Sequence, residues 1–334
     1  MSDGTVRAWG KNDVGQLAGA TSAFSQFPPV EIPNLNNVTA LETPSVGAHA
    51  LAAKSDGSVW AWGLNVNGQL GDGTKTNQSM PVVVPGINAV VFACGEGFSV
   101  ALKSDHTILD WGYNGAGQLG DGTTNDRSAP AQVTDVSGIS WIAAGSSHVL
   151  ALKSDFTLLT WGYNGEGQLG LGDQVIAQHK PTQIPSPNNV LTIAAGYNHS
   201  VVVRKDGTVW SWGTNTSGQL GIGTTSARSY NPVQANSITN AVTVSASYGH
   251  TLALASDGTV WAWGSNAAGE LGDGTKETRP APTPVNGLSD VAAISAGGGF
   301  SLALKKDGTV WAWGAGPMVN GASVDSGTPG LLVL

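Results

Sequence analysis

The sequence predicts an all-β fold, a seven-bladed β-propeller, from three observations. A Trp-Gly pair recurs at Trp9, Trp62, Trp111, Trp161, Trp212, Trp263 and Trp313, at intervals of 49 to 53 residues. A period of that length marks a repeat architecture whose units bury their apolar faces only against one another. Within each repeat, short alternating or apolar phrases are separated by Gly, Asn, Asp and Pro, the pattern of strands joined by tight turns. Glycine supplies 47 of the 334 residues, about twice the usual ~7%, and charged residues only 11%.

Each strand of the repeat follows from its own phrase. Strand A is read from nearly uninterrupted apolar runs, Trp141-Ile142-Ala143-Ala144-Gly145 and Val291 to Gly297; their small side chains suit a strand crowded about a central axis. Strand B is the run that follows, Val149 to Leu152 in one repeat and Leu252 to Leu254 in another. An Asp-Gly turn opens strand C, as in Asp257-Gly258-Thr259-Val260-Trp261-Ala262-Trp263-Gly264, so B and C form a hairpin of residues that favour a pleated surface. Trp60, Trp210, Trp261 and Trp311 precede a paired Trp by two residues, which puts both indoles on one face of strand C, packed between blades. Past Trp-Gly lies a turn-rich connection, Asn65 to Thr74 being the clearest, and then Pro81 to Val84. Pro cannot donate to a ladder, so it marks the start of an outer strand D. Four strands per repeat around a ring leave only short, protected edges; an open solenoid, the competing architecture, uses shorter coils.

Residues 1–334 are expected to form one propeller domain, but the strand count is uneven. There are seven C–D pairs and only six A–B pairs, those leading to His49, Phe98, His148, His199, His250 and Phe300. Residues 1–37 therefore give strands C and D of a partial blade, and residues 38–334 six complete blades. The seventh blade stays incomplete, takes strands from a neighbouring chain, or is finished by sequence outside these residues. Gly314 to Leu334 lacks the Gly-Gln-Leu-Gly phrase and closes the last repeat in its own way.

The phrases Asp-Gly-Thr-Val-Trp-Ala-Trp-Gly, Asn-x-x-Gly-Gln-Leu-Gly-Asp-Gly-Thr and Ala-Gly-x-x-His-x-x-Ala-Leu resemble the repeats of the regulator of chromosome condensation family over residues 3–334. The resemblance implies a seven-bladed propeller. It also implies, from the family's founding members, nucleotide exchange on a small GTPase and chromatin binding through a basic tail. The even Trp-Gly spacing leaves no room for a sizeable inserted wedge and neither end is basic, so exchange is not the leading expectation.

Composition excludes several classes of function. With 15 basic and 23 acidic side chains the net charge is -8, which repels a phosphate backbone and argues against nucleic acid as a direct partner. Cys94 is the only cysteine, so neither an intrachain disulfide nor a cysteine-based zinc cluster is expected. No run approaches the ~20 apolar residues of a membrane span, and Met1-Ser2-Asp3-Gly4 lacks the basic and then apolar start of a secretory leader. Few Lys and abundant Asn, Ser, Thr and Gly favour an extracellular or virus-particle surface over the cytoplasm.

No residue set is read as catalytic, cofactor-binding or metal-binding. His49, His148, His199 and His250 share a repeat position that Phe98 and Phe300 also fill, so they read as structural groups that bond neighbouring backbone. Zinc needs ligands at ~2 Å, too close for positions on separate blades. Trp62, Trp111, Trp161, Trp212, Trp263 and Trp313 read as core. His106 and His179 read as turn or loop residues. The Gly-Asp-Gly-Thr phrases at Asp72, Asp121 and Asp273 lack the further carboxylates of a calcium loop and read as turns. Repeated Gly-x-Gly is followed by no helix and no Lys-Ser/Thr pair, which argues against a phosphate cradle.

If the repeated residues build the frame, recognition belongs where the copies differ. One variable set precedes strand B: Gly47-Ala48, Glu96-Gly97, Ser146-Ser147, Tyr197-Asn198, Tyr248-Gly249 and Gly298-Gly299. Of these, Glu96, Ser146, Ser147, Tyr197, Asn198 and Tyr248 are the expected partner-binding residues. A second set follows Gly-Gln-Leu-Gly, at Lys75 to Met80, Thr124 to Ser128, Gln174 to Lys180, Ser226 to Tyr230 and Lys276 to Arg279. The expected function is a non-catalytic protein-interaction or structural propeller, displayed on a bacterial cell or virus particle. Enzyme regulation, by small-GTPase exchange or hydrolase inhibition, is the second class, and glycan adhesion through exposed Trp the third.

Overall fold

The computed structural model describes residues 4–21, 24–44, 47–319, 322–323 and 325–332. These form strands and turns, with no helix among the described residues. Chain order opens with a two-stranded pair, β1 (Arg7–Lys11) and β2 (Ser25–Glu31). The first four-stranded sheet follows: β3 (Val38–Glu42), β4 (His49–Lys54), β5 (Val59–Gly63) and β6 (Gln78–Val83). The second holds β7 (Val91–Cys94), β8 (Phe98–Leu102), β9 (Ile108–Gly112) and β10 (Arg127–Gln132). The third holds β11 (Ile139–Ala144), β12 (His148–Lys153), β13 (Leu158–Tyr163) and β14 (Ala177–Gln183). The fourth holds β15 (Val190–Ala195), β16 (His199–Arg204), β17 (Val209–Thr214) and β18 (Arg228–Gln234). The fifth holds β19 (Ala241–Ala246), β20 (His250–Ala255), β21 (Val260–Gly264) and β22 (Arg279–Pro284). In the sixth, β23 (Val291–Ala296), β24 (Phe300–Lys305) and β25 (Val310–Gly314) are completed by β28 (Ser326–Leu332). A small hairpin of β26 (Pro317–Val319) and β27 (Ala322–Ser323) intervenes.

Every sheet is an antiparallel meander, and the first strands β3, β7, β11, β15, β19 and β23 pack side by side about one axis. β26 touches β2, so the two ends of the ring meet there. This is the all-β propeller read from the repeat, six full blades with the β1–β2 pair as part of a seventh. Met1 to Asp3, read above as unlike a leader, lie outside the described residues.

Two local rules shape each blade. The Trp-Gly glycine takes positive φ, +106° at Gly112, and a Cβ there would lie 2.5 Å from the Gly97 carbonyl, so only glycine lets strand C end beneath the A–B loop. Strand D starts earlier than expected: β6 begins at Gln78, three residues before Pro81. Pro81 falls inside a register shift, because Gly63 pairs Gln78 while Ala61 pairs Val82. Interruption of the ladder removes the need for the N–H that proline lacks. His179, expected in a loop, lies within strand β14 for the same reason.

Indoles fill the gaps between blades. Trp62, Trp111, Trp161, Trp212, Trp263 and Trp313 are buried and lie among the largest side chains of the core. Trp60, Trp210 and Trp311 are only partly buried, with Lys54, Arg204 and Lys305 placed over their rings. Cys94 is buried.

Candidate functional site

The repeated histidines lie inside the frame. Ser99 Oγ donates to the Gln69 carbonyl at 2.8 Å and lies 3.0 Å from His49 Nε2. A hydroxyl has one proton, so Ser99 must accept from Nε2–H, which fixes the neutral tautomer. Trp111 Nε1 donates to the same Gln69 carbonyl at 2.8 Å. The relay repeats as His148–Ser200–Gln168 with Trp212, His199–Thr251–Gln219 with Trp263, and His250–Ser301–Glu270 with Trp313. Each links a blade to the next. Burial pushes the histidines down, His49 and His250 to about 4 and His148 and His199 to about 3. These imidazoles are neutral, buried and bonded across the blades.

The Gly-Asp-Gly-Thr carboxylates are likewise engaged. Asp72 Oδ1 accepts from the backbone N–H and hydroxyl of Thr74, and Asp121 and Asp273 do the same with Thr123 and Thr275. Arg127 and Arg279 pair with Asp121 and Asp273. A buried Asn organises each connection: Asn65 Oδ1 accepts from Leu70 N–H, and its amide donates to the Thr74 and Thr76 carbonyls. These groups hold loops in place.

The variable A–B loops form a linked belt. Glu96 N–H donates to the Ser146 carbonyl, Ser146 N–H to the Tyr197 carbonyl and Tyr197 N–H to the Ser247 carbonyl, at 2.9–3.2 Å. Side chains cross-link it: Ser146 Oγ donates to Asn198 Oδ1 at 3.1 Å, and Tyr197 OH to Glu96 Oε2 at 3.3 Å. Tyr197 and Tyr248 meet with ring centroids 4.9 Å apart, and Tyr248 is 60% exposed. Partial burial and the Glu96 carboxylate both raise the Tyr197 phenol. The fold thus brings together five of the six expected residues, Glu96, Ser146, Tyr197, Asn198 and Tyr248. Ser147 flanks them, giving its carbonyl to Tyr163 N–H.

Two further aromatics on this face are absent from the sequence reading. Tyr113 and Tyr163 follow Trp-Gly, their N–H groups bond the Gly97 and Ser147 carbonyls, and both rings are exposed. Each hydroxyl lies over a turn glycine, Gly115 or Gly165, where a Cβ would clash with it. Variation at the position after Trp-Gly was the signal for them. The connections carrying the second variable set leave this same end of the sheets, so both sets share one rim. Among the described residues no group of three or more His, Cys, Asp or Glu is placed to hold a metal ion, and no helix is long and apolar enough to cross a membrane.

Comparison with known proteins agrees with the architecture. The Ultraviolet-B receptor UVR8 of Arabidopsis thaliana is 30% identical over 286 residues, 83% of this chain and 64% of its own length. The human E3 ubiquitin-protein ligase HERC2 is 31% identical over 234 residues, 68% of this chain but 5% of that protein. The chain therefore spans less than two thirds of these relatives. In structure, Prp20p of Saccharomyces cerevisiae, described with its binding to Gsp1p and histones, superimposes with a TM-score of 0.86 at 23% identity. That match covers 100% of this chain and 87% of Prp20p. Human WBSCR16 superimposes with a TM-score of 0.87 at 21% identity, over 99% and 95% of the two chains. A family model, the RCC1-like domain, matches residues 5–328. The chain belongs to the regulator of chromosome condensation family, as a propeller built of RCC1-like repeats.

Proposed function

We propose that this protein is a non-catalytic interaction module whose belt of A–B loops holds a partner protein through Tyr197, Tyr248 and Glu96. Residues 1–334 act in this reading as one unit. The observation that carries it is the tyrosine pair, Tyr248 exposed and Tyr197 partly buried, with Tyr197 held by the Glu96 carboxylate and by backbone bonds to the blades on either side. Rigid aromatics cost little entropy on binding and are enriched at interaction hot spots. A tyrosine face beside a carboxylate suits an Arg or Lys side chain of the partner, which would lie over a ring and pair with Glu96. The net charge of -8 steers a basic protein segment toward the molecule. Relatives that bind proteins, such as Prp20p with Gsp1p and histones, fit this class of function.

The test is affinity capture with the intact chain and with Tyr197→Ala plus Tyr248→Ala, both checked for folding by circular dichroism. Loss of the captured protein on the double variant supports the face; undiminished capture rejects it. Glu96→Gln is expected to slow association and flatten its salt dependence, measured by surface plasmon resonance.

A further inference from the structure

One indole stands outside the Trp-Gly repeat. Trp141 lies on β11, the first strand of its sheet, and pairs with Leu152. The residues paired in the same way on the other first strands are Ala40, Val91, Thr192, Thr243 and Ala293, so the fold asks for nothing larger there. Trp141 is 47% exposed, and its N–H has no hydrogen-bond partner among the described residues. Alternation places it on the side of β11 that carries Ala143, which packs against the fourth sheet. A single exposed apolar side chain is common on any surface. Here a second anomaly lies at the same end of the same sheet.

The turn between β12 and β13 sits beside the start of β11, since Ser154 N–H donates to the Gly138 carbonyl and Ile139 pairs with Lys153. In that turn Phe156 adopts φ of +68°. The corresponding turns place Gly57, Gly207, Gly258 and Gly308 in this left-handed backbone, and His106 in the remaining one. His106 is tied down, its Nδ1 lying 2.9 Å from the Ile139 carbonyl. The Phe156 ring is 36% exposed and lies under Lys205 of the fourth sheet, whose Nζ is 3.1 Å from the ring centre. A bulky side chain in left-handed backbone is strained, and strain that persists points to a functional site. Trp141 and Phe156 thus meet the seam of the third and fourth sheets, at the end opposite the tyrosine belt. That seam lies across the ring from the β1–β2 pair, with closed apolar clusters on either side, so it owes nothing to how the ring is closed.

The polar groups around the two rings are of every kind. Asp155 pairs with Lys153 and Asp206 with Arg204, both acids being exposed. Asn188 and Asn189 give their carbonyls to Arg204 Nε and Lys205 N–H, and their side chains are exposed. A charged ligand would be repelled by one member of each ion pair. A hydroxyl both donates and accepts, so it bonds carboxylate, ammonium and amide alike. Aromatic faces carry partial negative charge and attract the polarised C–H groups along one side of a pyranose. We propose that this seam binds a neutral oligosaccharide, with one pyranose lying on Trp141, the next reaching Phe156, and hydroxyls bonded to Asn188, Asn189 and Asp155. The site is separate from the tyrosine belt and does not rest on it.

The experiment applies the 334-residue chain to an array of neutral gluco-, manno-, galacto- and N-acetylglucosamine oligosaccharides and titrates the strongest binder by calorimetry. Saturable binding is expected, weakened about tenfold by Trp141→Thr. That variant keeps the fold, because Thr192 and Thr243 already occupy the same position in the next two sheets. Phe156→Gly is expected to weaken binding about threefold and to raise the melting temperature, since it relieves the left-handed strain. Bound sugar should shield the chain's fluorescence from acrylamide, and the shielding should vanish in Trp141→Thr. Tyr197→Ala plus Tyr248→Ala should leave sugar binding as it was. Three results would overturn the proposal. The first is a blank array. The second is binding that Trp141→Thr leaves unchanged, or that prefers uronate or sulfated oligosaccharides. The third is a folded Trp141→Thr chain that no longer captures the partner of the tyrosine belt, which would assign the seam to a protein interface.

Discussion

His148 gives its one N–H to Ser200, Ser200 gives its proton to the Gln168 carbonyl, and Trp212 donates to that same oxygen. The fold therefore holds four imidazoles neutral, and the sign of the pH effect follows. Their folded pKa values, about 3 to about 4, lie below the unfolded ~6.5. Stability is complete above pH ~6.5 and falls as pH drops toward 4, because the unfolded chain takes up protons that the folded one refuses. Each histidine contributes up to about 1.4 kcal/mol per pH unit in that window. Urea titrations at stepped pH should show it, and His148→Phe with Ser200→Val, copying Phe98 against Val149, should reduce the slope by about one proton. Glu42 runs the other way. It occupies the axial position held by Ala93, Ala143 and Ala194 in neighbouring blades, and burial pushes it up to about 8. Its cost is absent below the unfolded value near 4.5 and grows as pH rises toward 8. Glu42→Ala should stabilise by about 1–3 kcal/mol at pH 8 and hardly at all near pH 4.5, by thermal melts. It was legible from the sequence that Phe98 and Phe300 fill, in other repeats, the position shared by the four histidines. Their hydroxyl partners were not, because each lies some fifty residues downstream on another sheet, and only pairing across the gap reveals the match.

Strands were the most readable scale, and the departures from expectation have local causes. Alternation and the Asp-Gly turn fix strands B and C, whereas strand D was displaced because Pro81 was read as a start when it occupies a bulge. The same bulge carries Pro130 in β10, where Arg127 pairs Gly112 and Ala131 pairs Asp110. Tyr113 and Tyr163 escaped notice because a residue one step past an invariant Trp-Gly looks like the tail of strand C, yet it emerges on the rim. The Trp-Gly glycines are the elements' fixed points. Gly112→Ala combines φ of +106° with a Cβ 2.5 Å from a carbonyl. It should destabilise by roughly 2–4 kcal/mol, measurable by denaturant titration.

Across the whole molecule, order should be uneven. Six packed gaps and one open one predict that amide exchange is slowest in β12, β16 and β20, flanked by sealed clusters, and faster in β1 and β24. Hydrogen-exchange mass spectrometry resolves this at the level of strands; uniform protection around the ring would contradict it. The propeller was legible from the Trp-Gly period and the incomplete blade from the strand count. The common rim was not, since it depends on which end of each sheet the A–B loops and the C–D connections leave from.

The relay also constrains how such a chain can grow. The fourth sheet receives through Ser200 and sends through His199, and the fifth receives through Thr251 and sends through His250. A tandem copy of either would dock on its own parent with every donor satisfied. The second sheet receives through Ser99 but ends in Phe98, so duplicating it would strand a hydroxyl against a phenyl ring. Insertions and deletions of whole repeats are therefore permitted at some seams and penalised at others, and the permitted seams cluster on one side of the circle.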